Sequence, residues 1–156
     1  MIGSHTIRTY SSTQTLVSLS SGEAEYYGLV KGAAAGLGEA MSVGFVKEGA
    51  TVICGDIDRK ELEKSVGKIE GGGEAIPVVA DVGNENDVER LIKISEEFGG
   101  ADVLVNNAGV KQLTLVGEEY SVAEVPLELW DEVINTNLRG CFLCTRAVLP
   151  GMLNRK

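Results

Sequence analysis

From Gly32 onward, helix-type and strand-type patterns take turns with a regularity that few folds can satisfy. Leu37, Ala40, Met41 and Phe45 recur at helical spacing, and Gly49 offers a C-terminal stop before the β-branched run Thr51-Val52-Ile53. Leu62, Val66 and Ile69 mark a second helix closed by Gly71-Gly72-Gly73, after which Ile76 to Ala80 reads as a strand that Pro77 places near a sheet edge. Val88, Leu91 and Ile92 open a third helix ending near Phe98, and Gly99-Gly100 lead into the apolar strand Val103-Leu104-Val105. Trp130, Val133, Ile134, Leu138, Cys141, Thr145 and Val148 trace one face of a long helix that Pro150 and Gly151 should loosen or end. Continuously apolar strands must be covered on both faces, and helices between them make the connections parallel. The expected architecture is therefore α/β, a doubly wound parallel sheet.

The bulk properties narrow the ligand. With 156 residues, 44% of them hydrophobic, one domain with a substantial core is expected. A formal charge of −9 repels nucleic acid and anionic lipid, so a small molecule is the expected partner, with no nucleic acid and no membrane. The sequence has neither an apolar run of about 18 residues nor a basic segment leading into an apolar one, and a soluble, cytoplasmic protein is expected. Cys54, Cys141 and Cys144 form an odd set, at odds with a disulfide framework. Cys141 and Cys144 make a CxxC, but with no second pair and the sole histidine at His5, no metal site is expected, and small buried helix residues are the better reading.

The chemistry-bearing signals begin at Gly32-Ala33-Ala34-Ala35-Gly36-Leu37-Gly38, a GxxxGxG at the start of a helix. Glycines there allow a tight turn and let backbone N–H groups approach a pyrophosphate at the positive end of the helix dipole. In a chain with 20 glycines the spacing alone is weak, and context decides. Asp56 closes the next strand about twenty residues on, where an acid can accept hydrogen bonds from an adenosine ribose.

With these residues assembled, the chain from about residue 29 to 156 resembles the short-chain dehydrogenase/reductase family. Gly32, Gly36 and Gly38 match its glycine motif, Asp81-Val82 its adenine-contacting pair, Asn106-Asn107-Ala108-Gly109 its NNAG signature, and Asn137 in Asn137-Leu138-Arg139-Gly140 its helix asparagine. The resemblance implies a Rossmann-like sheet and an NAD(P)-dependent oxidoreductase acting on a small carbonyl or alcohol. It implies that Asp81 holds the adenine amino group, that Asn107, Ala108 and Gly109 line the cofactor, and that Leu37 gives a backbone N–H to phosphate. Asn137 is open to two readings. It is a buried amide bracing nearby backbone, since a polar side chain on the stripe between Ile134 and Leu138 must find partners, or, by the resemblance, a catalytic part of a proton relay through a bound water. NAD is expected over NADP, because Asp56 accepts from a 2′-hydroxyl but repels a 2′-phosphate and Ala35 offers no compensating charge.

The sequence also departs from that family. Its catalytic serine and YxxxK pair would lie beyond Lys156, so the expectation is a sheet truncated after its fourth strand and following helix, incomplete as a catalyst and prone to self-association through the strand Val103-Leu104-Val105. A Tyr-x-x-x-Lys at Tyr27 to Lys31 precedes the glycine loop and reads as coincidence. Lys31 stands where the family usually has threonine, and the segment Lys111 to Val125 is longer than its usual connection. Residues 1–25 are a separate expectation: Ser11-Ser12-Thr13-Gln14 and Leu19 to Tyr27 resemble the ribonuclease H region of copia-type retrotransposon polyproteins. That family's metal-binding glutamate would correspond to Glu25, but without companion aspartates one carboxylate cannot build a two-metal site. The alternative function is thus an inactive fusion product or nuclease remnant, with 26–156 a partial dinucleotide-binding domain. Ser20 and Glu23 have the form of a helix capping box, whereas a central strand is needed and Tyr26 to Val30 is the segment placed to supply it; the strand is favoured.

Overall fold

The structure, a computed structural model, describes the backbone of residues 27–31 and, with side chains, residues 36–111, 115–117 and 120–155. The ribonuclease H-like segment 1–25, Gly32 and Ala35 lie outside the described residues. The elements run β1 (Tyr27–Lys31), α1 (Gly36–Lys47), β2 (Thr51–Asp56), α2 (Arg59–Val66), β3 (Glu74–Val79), α3 (Glu85–Glu97), β4 (Val103–Asn106), α4 (Leu127–Ile134), a π-helical turn (Asn135–Arg139) and α5 (Gly140–Asn154). All four strands pair in parallel in the order β3-β2-β1-β4. The first strand is thus a strand, and Leu29 lies in register between Ile53 and Leu104.

Both faces of the sheet are covered, which is why the middle of β2, Val52-Ile53-Cys54, is apolar. Val52 and Cys54 pack with Val46, Ala50 and Leu62 under α1 and α2, while Ile53 packs with Leu91, Val148 and Ala80 under α3 and α5. Successive strand residues point to opposite faces, so the two clusters share one strand and serve different helix pairs. Pro77 sits on β3, at the edge of the sheet among the described residues, where a missing N–H costs no ladder bond. Asp58 caps α2 by accepting from the N–H groups of Lys60 and Glu61, each at 3.0 Å, and Asn84 caps α3 in the same way.

Two helices depart from the expected stripes. On α1 the buried line is Gly38, Ser42 and Val46, while Leu37 is 75% exposed and Ala40 is exposed. Small residues at 38 and 42 let the helix axis approach the sheet, which rotates the larger apolar residues outward. On the last helix, Val148 is buried as the stripe expects, but Trp130 and Leu138 are 51% and 64% exposed, and Leu129, Gly140, Leu143 and Cys144 are buried instead. The π-helical turn inserts an extra residue there and shifts the phase of the stripe. Nor does Pro150 end the helix, which runs on to Asn154; Pro150 lies on an exposed face, where water can serve the carbonyl it leaves without a donor. All three cysteines are free thiols, and no helix among the described residues is long and apolar enough to cross a membrane.

Candidate functional site

Strand order places the site. From β1 the chain adds β2 and β3 on one side, then returns to lay β4 against the other side of β1, so the connections diverge between β1 and β4. Open parallel sheets hold ligands in the crevice at such a point, outside the carboxyl ends of the strands. Because every pair is parallel, the segments leaving β1, β2, β3 and β4 all emerge at that edge. They carry, respectively, Gly36-Leu37-Gly38, Asp56, Asp81-Val82 and Asn107-Ala108-Gly109.

At the start of α1, Gly36 has φ +64° and nothing within 4 Å of the position a Cβ would take. Its left-handed backbone suits glycine, and the space above it is open. The first-turn N–H groups of α1 have no helical acceptors and carry the positive end of the dipole. Beneath them, Gly38 is buried and its carbonyl accepts from the Ser42 hydroxyl at 2.9 Å; that hydroxyl accepts in turn from the Cys54 thiol at 3.6 Å. Burial raises the Cys54 pKa above its ordinary value, only partly opposed by the Ser42 hydrogen bond.

Asp56 ends β2 with its Oδ1 accepting from the Asp58 N–H at 3.0 Å, a local turn that fixes the carboxylate at the strand end. Beside it Ile57 is 70% exposed, an apolar wall that no periodicity singled out. Asp81 is held on two sides: its N–H donates to Asp87 Oδ2 at 2.9 Å, and its Oδ1 accepts from the Gly83 N–H at 2.8 Å. Arg90 supports this from α3, pairing with Asp87 at 2.7 Å and donating to the Val79 carbonyl at 2.6 Å. Asn84 followed three residues later by an acid is the local signal that could have exposed Asp87. Val82 points the other way, buried with Val88, Leu143 and Cys144.

After β4, Asn106 Nδ2 donates to Thr145 Oγ1 at 3.3 Å, and Ala108 packs against the Val82 cluster. Gly109 is exposed, 3.3 Å from Asn137 Oδ1 measured from where its Cβ would stand. Asn137 itself grips the neighbouring Val110 peptide at both ends: Oδ1 accepts from the Val110 N–H and Nδ2 donates to the Val110 carbonyl, each at 2.8 Å. The bracing expected of this amide is there; its burial is not, since the π-helical turn swings Asn137 to the exposed surface. The same turn supplies Arg139, whose Nη1 donates to the Gly83 carbonyl and to Asn135 Oδ1, both at 2.9 Å. Nothing in local sequence flagged Arg139, because its partner, the Gly83 carbonyl, lies more than fifty residues away. Among the described residues no cluster of His, Cys, Asp and Glu could hold a metal ion.

The sheet, its switch point and the loops around it define a dinucleotide-binding type of α/β fold. Residues 28–156 match the family model for short chain dehydrogenase, and the chain belongs to that family. It is 38% identical over 130 residues to the 3-oxoacyl-[acyl-carrier-protein] reductase FabG of Thermotoga maritima, covering 82% of this chain and 50% of the relative. To the uncharacterized oxidoreductase YxbG of Bacillus subtilis it is 41% identical over 127 residues, 80% of this chain and 45% of the relative. Among solved structures, 3-ketoacyl-(acyl-carrier-protein) reductase from Brucella melitensis, complexed with NADH, superposes with a TM-score of 0.72 at 34% identity over 81% of this chain and 49% of that one. L-sorbose reductase from Gluconobacter frateurii, complexed with NADPH and L-sorbose, gives 0.75 at 26% identity over 86% and 50%. The chain thus spans about half the length of the relatives it matches.

Proposed function

We propose that this chain forms the cofactor-binding part of an NAD(P)-dependent oxidoreductase acting on a small carbonyl or alcohol. The observation that carries the reading is the convergence, at one switch point, of an open left-handed glycine at a helix N-terminus with carboxylates at the ends of β2 and the segment after β3. A dinucleotide fits this chemistry: the N–H groups of α1, that of Leu37 included, suit its diphosphate, Asp56 its adenosine ribose and Asp81 its adenine amino group. Asn107, Ala108 and Gly109 line the other end, where Asn137 holds the adjoining Val110 peptide in place. When bound, the nicotinamide gives or takes the hydride; the protein's part is to bind and orient it.

The bound form is NAD in preference to NADP. Asp56, at the end of β2, accepts from a ribose 2′-hydroxyl and repels a 2′-phosphate. The chain also self-associates along β4, which among the described residues pairs only with β1. Calorimetric titration with NADH and NADPH tests the first two statements together. Absence of binding by either dinucleotide would overturn the function, whereas tighter binding of NADPH would overturn only the preference.

A further inference from the structure

The π-helical turn Asn135–Arg139 touches two loops at once. Asn137 holds Val110 after β4, while Arg139, which also donates to Asn135, holds the Gly83 carbonyl after β3. β3 and β4 are the outermost strands of the described sheet, about 14 Å apart at three interstrand spacings. One irregular turn therefore braces both flanks of the proposed dinucleotide crevice.

The β3 side shows how tightly this is built. The Gly83 peptide is held at its N–H by Asp81 Oδ1 at 2.8 Å and at its carbonyl by Arg139 Nη1 at 2.9 Å. A Cβ at residue 83 would stand 2.9 Å from Asn135 Cγ and 3.3 Å from Asp81 Oδ1, so only glycine leaves room for both neighbours. The same guanidinium nitrogen also donates to Asn135 Oδ1, which fixes the plane of the fork. Arg139 orients Gly83, Gly83 orients the Asp81 carboxylate, and Asp87 pins the Asp81 backbone.

We infer that Arg139 is a positioning residue for the adenine end of the site, acting through Gly83 on Asp81. This rests on the dinucleotide reading above. A charged donor to a buried carbonyl cannot be removed without releasing the peptide it holds, and the carboxylate that peptide aims is the one that would meet the ligand.

The test is titration of the whole chain with NADH and with ADP-ribose, which keeps the adenine end and lacks only the nicotinamide, with melting temperatures measured alongside. R139M is expected to raise Kd for both ligands about tenfold, the effect of one hydrogen bond to a charged donor, with R139K recovering part of the loss. In a D81N background, R139M should add nothing further, because its route to the ligand is already cut. A merely structural role would instead lower affinity equally in both backgrounds. If R139M does not fold, N135A, which removes only one acceptor of the guanidinium, is expected to shift Kd in the same direction by less. Wild-type failure to bind either ligand would count against the dinucleotide reading. Wild-type binding with R139M or N135A unchanged, or with R139M equally harmful beside D81N, would overturn the role assigned to Arg139.

Discussion

Gly140 opens α5 directly over Val82, and replacing it with alanine should have opposite effects in two backgrounds. Its backbone is ordinary right-handed helix, φ −57° and ψ −46°, so alanine meets no conformational strain there. In a helix interior that exchange is worth about 1 kcal/mol of added stability. Against it, the new Cβ would stand 2.6 Å from Val82 Cγ2 and 3.2 Å from Val82 Cβ. Val82 is buried among Val88, Leu143 and Cys144, and a β-branched side chain has little rotamer freedom with which to retreat. Overpacking of this kind costs about 1–3 kcal/mol. The net expectation for G140A is a loss of about 1 kcal/mol. V82A removes the methyl groups in the way and costs about 1–2 kcal/mol by itself, but on that background G140A should stabilise by up to about 1 kcal/mol. Urea denaturation of the four proteins, followed by far-ultraviolet circular dichroism, closes the cycle. A neutral or stabilising G140A in the wild type, or strict additivity in the double variant, would refute the packing argument.

At Gly36 the space is open, so G36A should cost only about 1 kcal/mol of stability for its left-handed φ, yet weaken dinucleotide binding by tenfold or more, because the methyl group occupies the approach of the diphosphate; equal affinity by calorimetry would contradict this. The Cys54 thiol is raised by burial, so its folded pKa lies above the ordinary 9.0. The unfolded chain then loses its proton first: stability from this group is intact below pH 9.0 and falls as pH rises from there toward the folded value. Urea midpoints at pH 8 and pH 10, compared between wild type and C54A, read the difference, and identical pH dependence would refute it. By the proposed self-association along β4, light scattering of the wild type should rise with concentration and V103K should lower it, since an edge lysine discourages strand addition; scattering flat with concentration in the wild type would contradict this.

Much of the fold was legible because its signals are local. Val52-Ile53-Cys54 and Val103-Leu104-Val105 are short apolar runs bounded by glycines or polar residues, the pattern of parallel-sheet strands, and Pro77 marked its own edge. Stripe phase was less legible, because periodicity assumes 3.6 residues per turn and assigns the core to the largest residues. Gly38 and Ser42 defeat the second assumption on α1, and the π-helical turn defeats the first after Ile134. Of the candidate site, Gly36 and Asp56 were legible from their positions beside a strand, and Asp81 and Asn107 to Gly109 from their match to the family's motifs. Arg139 was not, since its work is done across a separation of more than fifty residues, which no window along the chain can see.

Pro77 also gives the sheet a direction of growth. Residue 77 brings no N–H to either side of β3, so a strand laid outside it would find a gap in the row of donors, whereas Val103–Asn106 on the opposite flank contains no such break. One margin is terminated by its own chemistry and the other is a receptive end, in the manner of a polymer capped at one terminus. Any fifth strand, whether contributed by this polypeptide or by a neighbouring copy, meets less resistance beside β4, the flank on which the proposed nicotinamide end lies.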